Sequence, residues 1–251
     1  MTPISLTQFD LSAFGIGLLD VLALAWFVIC TVGYNLVTGA RRLWRASLVG
    51  TIQGHRMRWM AHMAQRDDRV IDVLLISSLA TGNSFFASTS IVILGALSAV
   101  LGSGERAQAV LEQLPFAVHA SPIAWDIKII VEMLVFIYAF FKFAWAFRLA
   151  HYSMIMMGAT PSVQTERLDV RQEHAARAGR IAGIAAEHGN LGLRAYYFGM
   201  AAIGWFFHPA GFIITTTLVM LIVTRREFFS RTLSVLSDHP TRTISTLPPL
   251  R

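Results

Sequence analysis

Apolar residues in this chain fall in long uninterrupted blocks, unlike the short alternating runs of a sheet or the one-sided stripes of a soluble helical bundle. Four blocks reach the length of about 20 mostly apolar residues that crosses a bilayer as a helix: roughly residues 18–40, the uncharged run 73–103, 123–147 and 195–224. The polar segments between them keep a helical period. In residues 44–66, Trp44, Leu48, Ile52, Trp59 and Met63 form an apolar stripe, with Arg45, Arg56 and Arg58 supplying charge. That pattern suits either a helix lying among lipid headgroups or one packed on a partner helix. A second polar helix is predicted over 161–188, with Thr160 as N-cap and Pro161 at N1, or a restart near Thr165. Its row Ala175, Gly179, Ala182, Ala186 is small throughout, so it is expected to dock against another helix. The fold class these elements predict is an all-α integral membrane protein. It is a four-transmembrane-helix bundle in one membrane domain, 1–230, with two cytoplasmic amphipathic helices and a flexible tail over 231–251 that contains Pro240, Pro248 and Pro249.

Composition narrows the class. Of 251 residues 55% are hydrophobic and 14% charged, with a mean hydropathy of +0.55, whereas soluble domains carry roughly 25% charge. An ordinary soluble enzyme and a disordered chain are both excluded. The single cysteine, Cys30, cannot form an intramolecular disulfide or a cysteine-cluster metal site. Seven arginines lie between Arg41 and Arg69 and five between Leu149 and Arg194, against none in residues 1–20 and one, Arg106, in the outer loop. Basic loops stay cytoplasmic, which is expected to put those two segments inside with anionic lipid as their neighbour. The tail conflicts with this. Four simple spans leave the C-terminus outside, yet Arg225, Arg226, Arg231, Arg242 and Arg251 make it basic. His208-Pro209 breaks the last block, so it is read either as a kinked single crossing or as a re-entrant segment of two short halves.

Polar residues inside the blocks are the candidate chemistry. In the second block Ser77, Thr81, Ser84, Ser88, Gly95, Ser98 and Gly102 follow one helical face, read as a helix-packing seam, with a polar lining as the alternative. Asn83 needs partners for both donor and acceptor at membrane depth. The third block holds both lysines of the chain, Lys128 and Lys142, with Glu132. These three fall within a sector of about 80° at 100° per residue, while Phe136, Phe140, Phe141 and Trp145 occupy other sides. Charges facing hydrocarbon are costly, so this face is expected to look into protein or water. Glu132 and Lys142 are about 15 Å apart along the axis, too far to pair. Lys128, Lys142, Glu132, Asn83, His208 and Asp20 are thus the candidate polar path, with interfacial snorkelling of the two lysines as the structural alternative. No phosphate-binding loop, nucleotide fingerprint or metalloprotease motif occurs. The sequence therefore predicts no enzyme, cofactor or metal, and its basic charge flanks spans, which indicates lipid rather than nucleic acid.

Particular residue strings also carry a resemblance. Gly82-Asn83-Ser84-Phe85-Phe86-Ala87-Ser88-Thr89-Ser90-Ile91, with Gly95 and Leu101-Gly102, resembles the second span of a bacterial and plant membrane family known as domain of unknown function 599. Gly33-Tyr34-Asn35, Arg58-Trp59, Phe147-Arg148, His151-Tyr152-Ser153 and Arg194-Ala195-Tyr196-Tyr197-Phe198 extend the likeness over about residues 20–230. It implies four spans and no activity. Two functions follow from the residues: an oligomeric pore or transporter for a small ion or solute, or a non-catalytic accessory or assembly subunit of a larger membrane complex.

Overall fold

The computed structural model describes residues 16–103 and 121–237, and no strand occurs among them. Helix α1 (Leu18–Gly39) contains one π turn at Ile29–Gly33. It is followed by α2 (Arg41–Ala46), α3 (Leu48–Met63), α4 (Val70–Gly102), α5 (Pro122–Gly158), α6 (Leu168–Ala202), α7 (Gly204–Phe207), α8 (Pro209–Phe228) and α9 (Arg231–Ser237). Helix starts follow capping chemistry. Ser47 Oγ and Ser121 Oγ each accept from a backbone N–H of the first turn, at 3.1 Å in both cases, and Pro122 sits at N1, where its missing N–H costs nothing.

Helices α1, α4 and α5 are each long and apolar enough to cross a membrane. Leu22, Leu79, Val92, Leu134, Phe141 and Leu221 stay exposed, an apolar surface that water would not tolerate. The chain is an integral membrane protein. Its centre is the long antiparallel pair α5–α6. Lys128 meets Trp205, Phe136 meets Tyr196, Phe143 meets Gly192 and Ser153 donates to the Ala178 carbonyl at 3.0 Å. Glycine and alanine along α6 permit this close approach. Helix α4 packs on α5 through Phe86 and Phe143, stacked at 5.1 Å. Helix α1 packs along α8, with Phe27 against Phe212 and Trp26 Nε1 donating to Thr217 Oγ1 at 3.0 Å, and reaches α7 and α6 through Asp20 at Trp205 and Asn35 at Arg194. Of the two readings of the first polar helix, packing on a partner helix holds. Met57 and Met60 of α3 cover Gly179, Gln53 donates to the Gly179 carbonyl at 3.2 Å, and Ala175 and Ala182 are buried as the small row predicts.

Four sequence expectations change. The last block is not the kinked single crossing of one reading but turns back at His208-Pro209 as the re-entrant reading has it, because α6 and α8 form an antiparallel hairpin. Thr215 Oγ1 donates to the Ala201 carbonyl at 2.7 Å, Arg226 donates to the Tyr197 hydroxyl at 2.8 Å, and Arg194 lies 3.8 Å from Glu227. His208 takes an extended backbone (φ −160°, ψ 139°) and caps α8, with Pro209 at N1, so the proline starts a new helix rather than bending an old one. Gly204 and Gly211 let the arms meet, since a Cβ on Gly211 would lie 3.2 Å from the Gly204 carbonyl. The architecture is therefore three long apolar spans plus a helical hairpin. Second, the helix predicted over 161–188 starts only at Leu168, after Arg167 rather than after Thr160 or Thr165, and continues unbroken to Ala202, because no breaker follows Gly189-Asn190.

Third, the seam on α4 faces away from this chain's core. Thr81, Ser88, Gly95, Ser98 and Gly102 are exposed and Ser77 and Ser84 half-buried, while Asp72, Ile76, Ala80 and Ser90 form the buried face. The hydroxyls need no neighbour, since Thr81 donates to the Ser77 carbonyl at 3.0 Å and Ser98 to the Leu94 carbonyl at 2.8 Å. Fourth, the tail expected from residue 231 begins with α9, whose Leu236 carbonyl lies 3.1 Å from the His55 ring. Residues 238–251 lie outside the described residues.

Candidate functional site: a cavity, an aromatic layer and buried charges

Helices α3 and α4 pack on the α5–α6 pair from different sides and leave a cleft between them. It is a cavity of about 410 Å³, with Leu48, Ile52 and Arg56 on one wall and Leu79, Asn83 and Phe86 on the other. Alanines 182, 185 and 186 and Gly189 of α6 form its floor. The walls are mainly apolar. Asn83 donates its amide to the Leu79 carbonyl at 3.1 Å, and its Oδ1 lies where a Cβ on Gly189 would come within 2.8 Å. Arg56 donates to Gln53 Oε1 and forms no ion pair among the described residues. Burial draws its pKa below the ordinary guanidinium value.

Four rings close the deep end of the cavity. Phe86 stacks on Phe143 at 5.1 Å, and Tyr196 stands edge-on to Phe86, Phe143 and Phe136 at 5.7, 5.5 and 5.2 Å. The Tyr196 hydroxyl donates to the Phe86 carbonyl at 2.9 Å and lies 3.0 Å from Ser90 Oγ. One turn beyond Phe136 on the same face of α5 is Glu132, 4% exposed. Gly199 makes room for it, since a Cβ there would lie 3.4 Å from Glu132 Oε1. Oε2 is buried and has no hydrogen-bond partner among the described residues. A further turn along, Lys128 Nζ donates to the Trp205 carbonyl at 3.0 Å and lies 3.6 Å from Asp20 Oδ1, which accepts from Trp205 Nε1 at 2.7 Å. Charge on this face of α5 is thus sorted by depth: a satisfied triad toward the α5 N-terminus, then a carboxylate without a partner.

Asp20, Lys128 and Glu132 therefore share one buried stretch, and Asn83 reaches the cavity on the far side of the ring layer. Lys142 and His208 are placed elsewhere. Lys142 lies 5.1 Å from the Tyr138 ring centroid in an open lateral cleft with Trp145, Arg148 and His188. His208 is exposed, and its Nδ1 accepts from Ala210 N at 3.0 Å. The snorkelling alternative fits Lys142 and not Lys128, which is buried.

Sequence reasoning about charged side chains missed two polar clusters. Arg194 donates to Asn35 Oδ1 at 3.2 Å and Thr38 Oγ1 at 3.0 Å and lies over the Tyr34 ring at 4.9 Å. With Glu227, whose Oε1 accepts from Val49 N at 3.3 Å, it ties α1, α3, α6 and α8 together. The signal was present, since Tyr34-Asn35 and Arg194 both stand in strings that carry the family resemblance. The second cluster is Asp72, fully buried, which accepts from Trp59 Nε1 and Arg66 Nη2 at 2.6 Å each. Beside it, Arg171 donates to the Ala64 carbonyl at 2.6 Å. No sequence spacing announces these contacts.

No curated protein and no solved structure matches this chain. A family model does, over residues 22–232, which contain Lys128, Glu132, Asp72, Arg171, Arg194 and Glu227 but not Asp20. The chain belongs to the family described as protein of unknown function, DUF599.

Proposed function

We propose that the protein is an oligomeric membrane carrier for a small ion or solute. Its path runs from the α3–α4 cavity through the Phe86–Phe143–Tyr196 layer to Glu132 and then to the Asp20–Lys128–Trp205 triad. One observation carries the reading: Glu132 is buried, with no partner among the described residues, between an aromatic closure and an ion pair. A lone carboxylate at membrane depth costs on the order of 3 kcal/mol or more, a cost that a purely structural position would shed by substitution. Charge distribution supports an orientation with both basic segments and α9 cytoplasmic, the α6–α8 hairpin entering from that side of a bacterial inner membrane. Anionic lipid would then face the arginines of α2 and α3.

Reconstituted liposomes test the reading. Wild type should pass a proton or small-ion flux that Glu132→Gln changes while folded yield is kept. Wild-type flux no greater than that of empty vesicles under each imposed gradient overturns it. The exposed small face of α4 favours a second reading, an assembly subunit of a larger complex. In that case a stable partner co-purifies, and Ser88→Leu or Gly95→Leu releases it.

A further inference from the structure

The cavity beside Arg56 has a size, a polarity gradient and an opening that together select an occupant. Its opening lies between α3 and α4, where Ile52, Ser78, Leu79 and Gly82 are exposed, flush with the apolar outer face of α4. Along α6 its floor and walls extend from Ala182 to Leu193, about 16 Å at 1.5 Å per residue. An extended chain covers about 1.2 Å per bond, so this length fits about a dozen carbons. Arg56 is its one ionisable wall residue. Glu187, which shares a shallower cleft with Arg56 on the other side of α3, forms no ion pair with it. At the opposite end stand the faces of Phe86 and Phe143.

We propose that this cavity binds a single-chain amphipathic anion, its carboxylate on Arg56 and its hydrocarbon chain laid along Ala182, Ala185, Ala186 and Gly189 to the Phe86–Phe143 pair. The guanidinium supplies the missing counter-charge and a forked donor set for a planar anion. Alanine and glycine along the floor leave it clear for a hydrocarbon chain. Entry is lateral, from the leaflet beside α3. That this anion is what the carrier moves rests on the function proposed above; that it binds does not.

The test uses the full chain in phosphatidylcholine nanodiscs at pH 8, titrated calorimetrically with dodecanoate and, separately, dodecanol. Dodecanoate should saturate one site per chain. Arg56→Gln should weaken it by about ten- to hundredfold, the loss of one charge-assisted hydrogen bond, and leave dodecanol binding unchanged. Ala186→Leu should abolish dodecanoate binding with Arg56 intact, and Arg58→Gln, on the exposed side of α3, should leave it as in wild type. Equal binding of acid and alcohol, or no effect of Arg56→Gln, overturns the proposal. So does retention of one phosphatidylglycerol per chain that dodecanoate cannot displace, which makes the occupant a membrane phospholipid. The two readings separate cleanly. Dodecanoate binding without any flux supports the occupant and overturns the carrier, whereas ion flux without dodecanoate binding overturns the occupant and leaves the carrier standing.

Discussion

Phe143 occupies the space that a side chain on Gly192 would need: a Cβ at Gly192 would lie 2.7 Å from the ring. That ring is itself stacked on Phe86, so it cannot swing aside as a flexible side chain would. Gly192→Ala should therefore destabilise the protein by about 1–3 kcal/mol, the usual cost of overpacking. A lower thermal unfolding midpoint in detergent would report it. Gly95→Ala and Gly102→Ala on α4, where a Cβ meets nothing within 4 Å, should leave the midpoint unchanged or slightly raised, since alanine favours helix.

The Asp20–Lys128 pair makes a second expectation. Removing one partner of a buried pair strands the other charge, at a cost of about 3–5 kcal/mol. Lys128→Met should approach that loss, because Asp20 then keeps the neutral donors Trp205 Nε1 and Gly17 N but no counter-charge among the described residues. Asp20→Asn should cost less, since Lys128 retains the Trp205 carbonyl and the amide can still accept from the indole. The double variant should be more stable than the sum of the two losses implies. Unfolding midpoints of all three against wild type decide it, and strict additivity would show that the two side chains do not interact.

Outside the membrane segments, the exposed carboxylate of Asp67 accepts from Val163 N at 2.8 Å, and that bond holds its pKa below the ordinary value of 3.8. A depressed carboxylate contributes order above its unfolded pKa and loses it as pH falls through the folded one. The loop between α5 and α6 should thus be held at neutral pH and released below about pH 4. Protection of the Val163 amide, its exchange rate relative to the intrinsic rate at the same pH, should fall over that range in wild type. In Asp67→Asn, which can still accept the bond but does not titrate, that protection should not change with pH over the same range.

Much of this architecture is legible in the sequence, and what is not has physical causes. The spans predicted at 18–40 and 73–103 fall within a few residues of α1 and α4, because a hydrocarbon slab demands uninterrupted apolar length. Helix α5 begins as predicted but runs on to Gly158, since helix continues after lipid ends. The hairpin stays one of two open readings in the sequence because an uncharged run reads the same whether it crosses or returns. Only the cap–proline pair His208-Pro209 and the paired Gly204 and Gly211 distinguish the two. The side of α4 buried within this chain is not the one its hydroxyl stripe follows, because serine and threonine satisfy themselves on their own i−4 carbonyls, so their periodicity does not mark that side. Glu132 and Lys128 were found because charge in an apolar run has few tolerable places, whereas Arg171 and Asp72 lie in polar sequence, where a buried charge looks like any other.

Hairpin geometry also fixes which surfaces share a side. Helix α9 touches α3 through Leu236 and His55, so position 235 should behave as position 58 does. In a Cys30→Ser background, Arg58→Cys, Glu173→Cys and Val235→Cys should resist a membrane-impermeant maleimide in intact cells and react after lysis. Ser103→Cys, at the far end of α4, should react in intact cells. Labelling of position 235 without position 58 would break the hairpin assignment.

The aromatic layer separates the cavity from Glu132, and its removal should be visible at that carboxylate. Phe86 touches both Phe143 and Tyr196, so truncating it to alanine deletes one ring from each contact and opens the cavity toward Phe136. The fold should survive with a loss of about 3–5 kcal/mol at most, because Tyr196 keeps its hydrogen bond to the residue 86 carbonyl, which the substitution retains. A water-soluble carbodiimide with a glycine amide nucleophile modifies only carboxyls that it can reach, and peptide mass spectrometry locates the adduct. Wild-type Glu132 should be modified slowly and Phe86→Ala severalfold faster, with Glu132→Gln showing no adduct at that position. Tyr196→Phe, which keeps the ring and loses only the hydroxyl, should match wild type. Equal rates in wild type and Phe86→Ala would mean that Glu132 is reached by another route and that the rings close nothing.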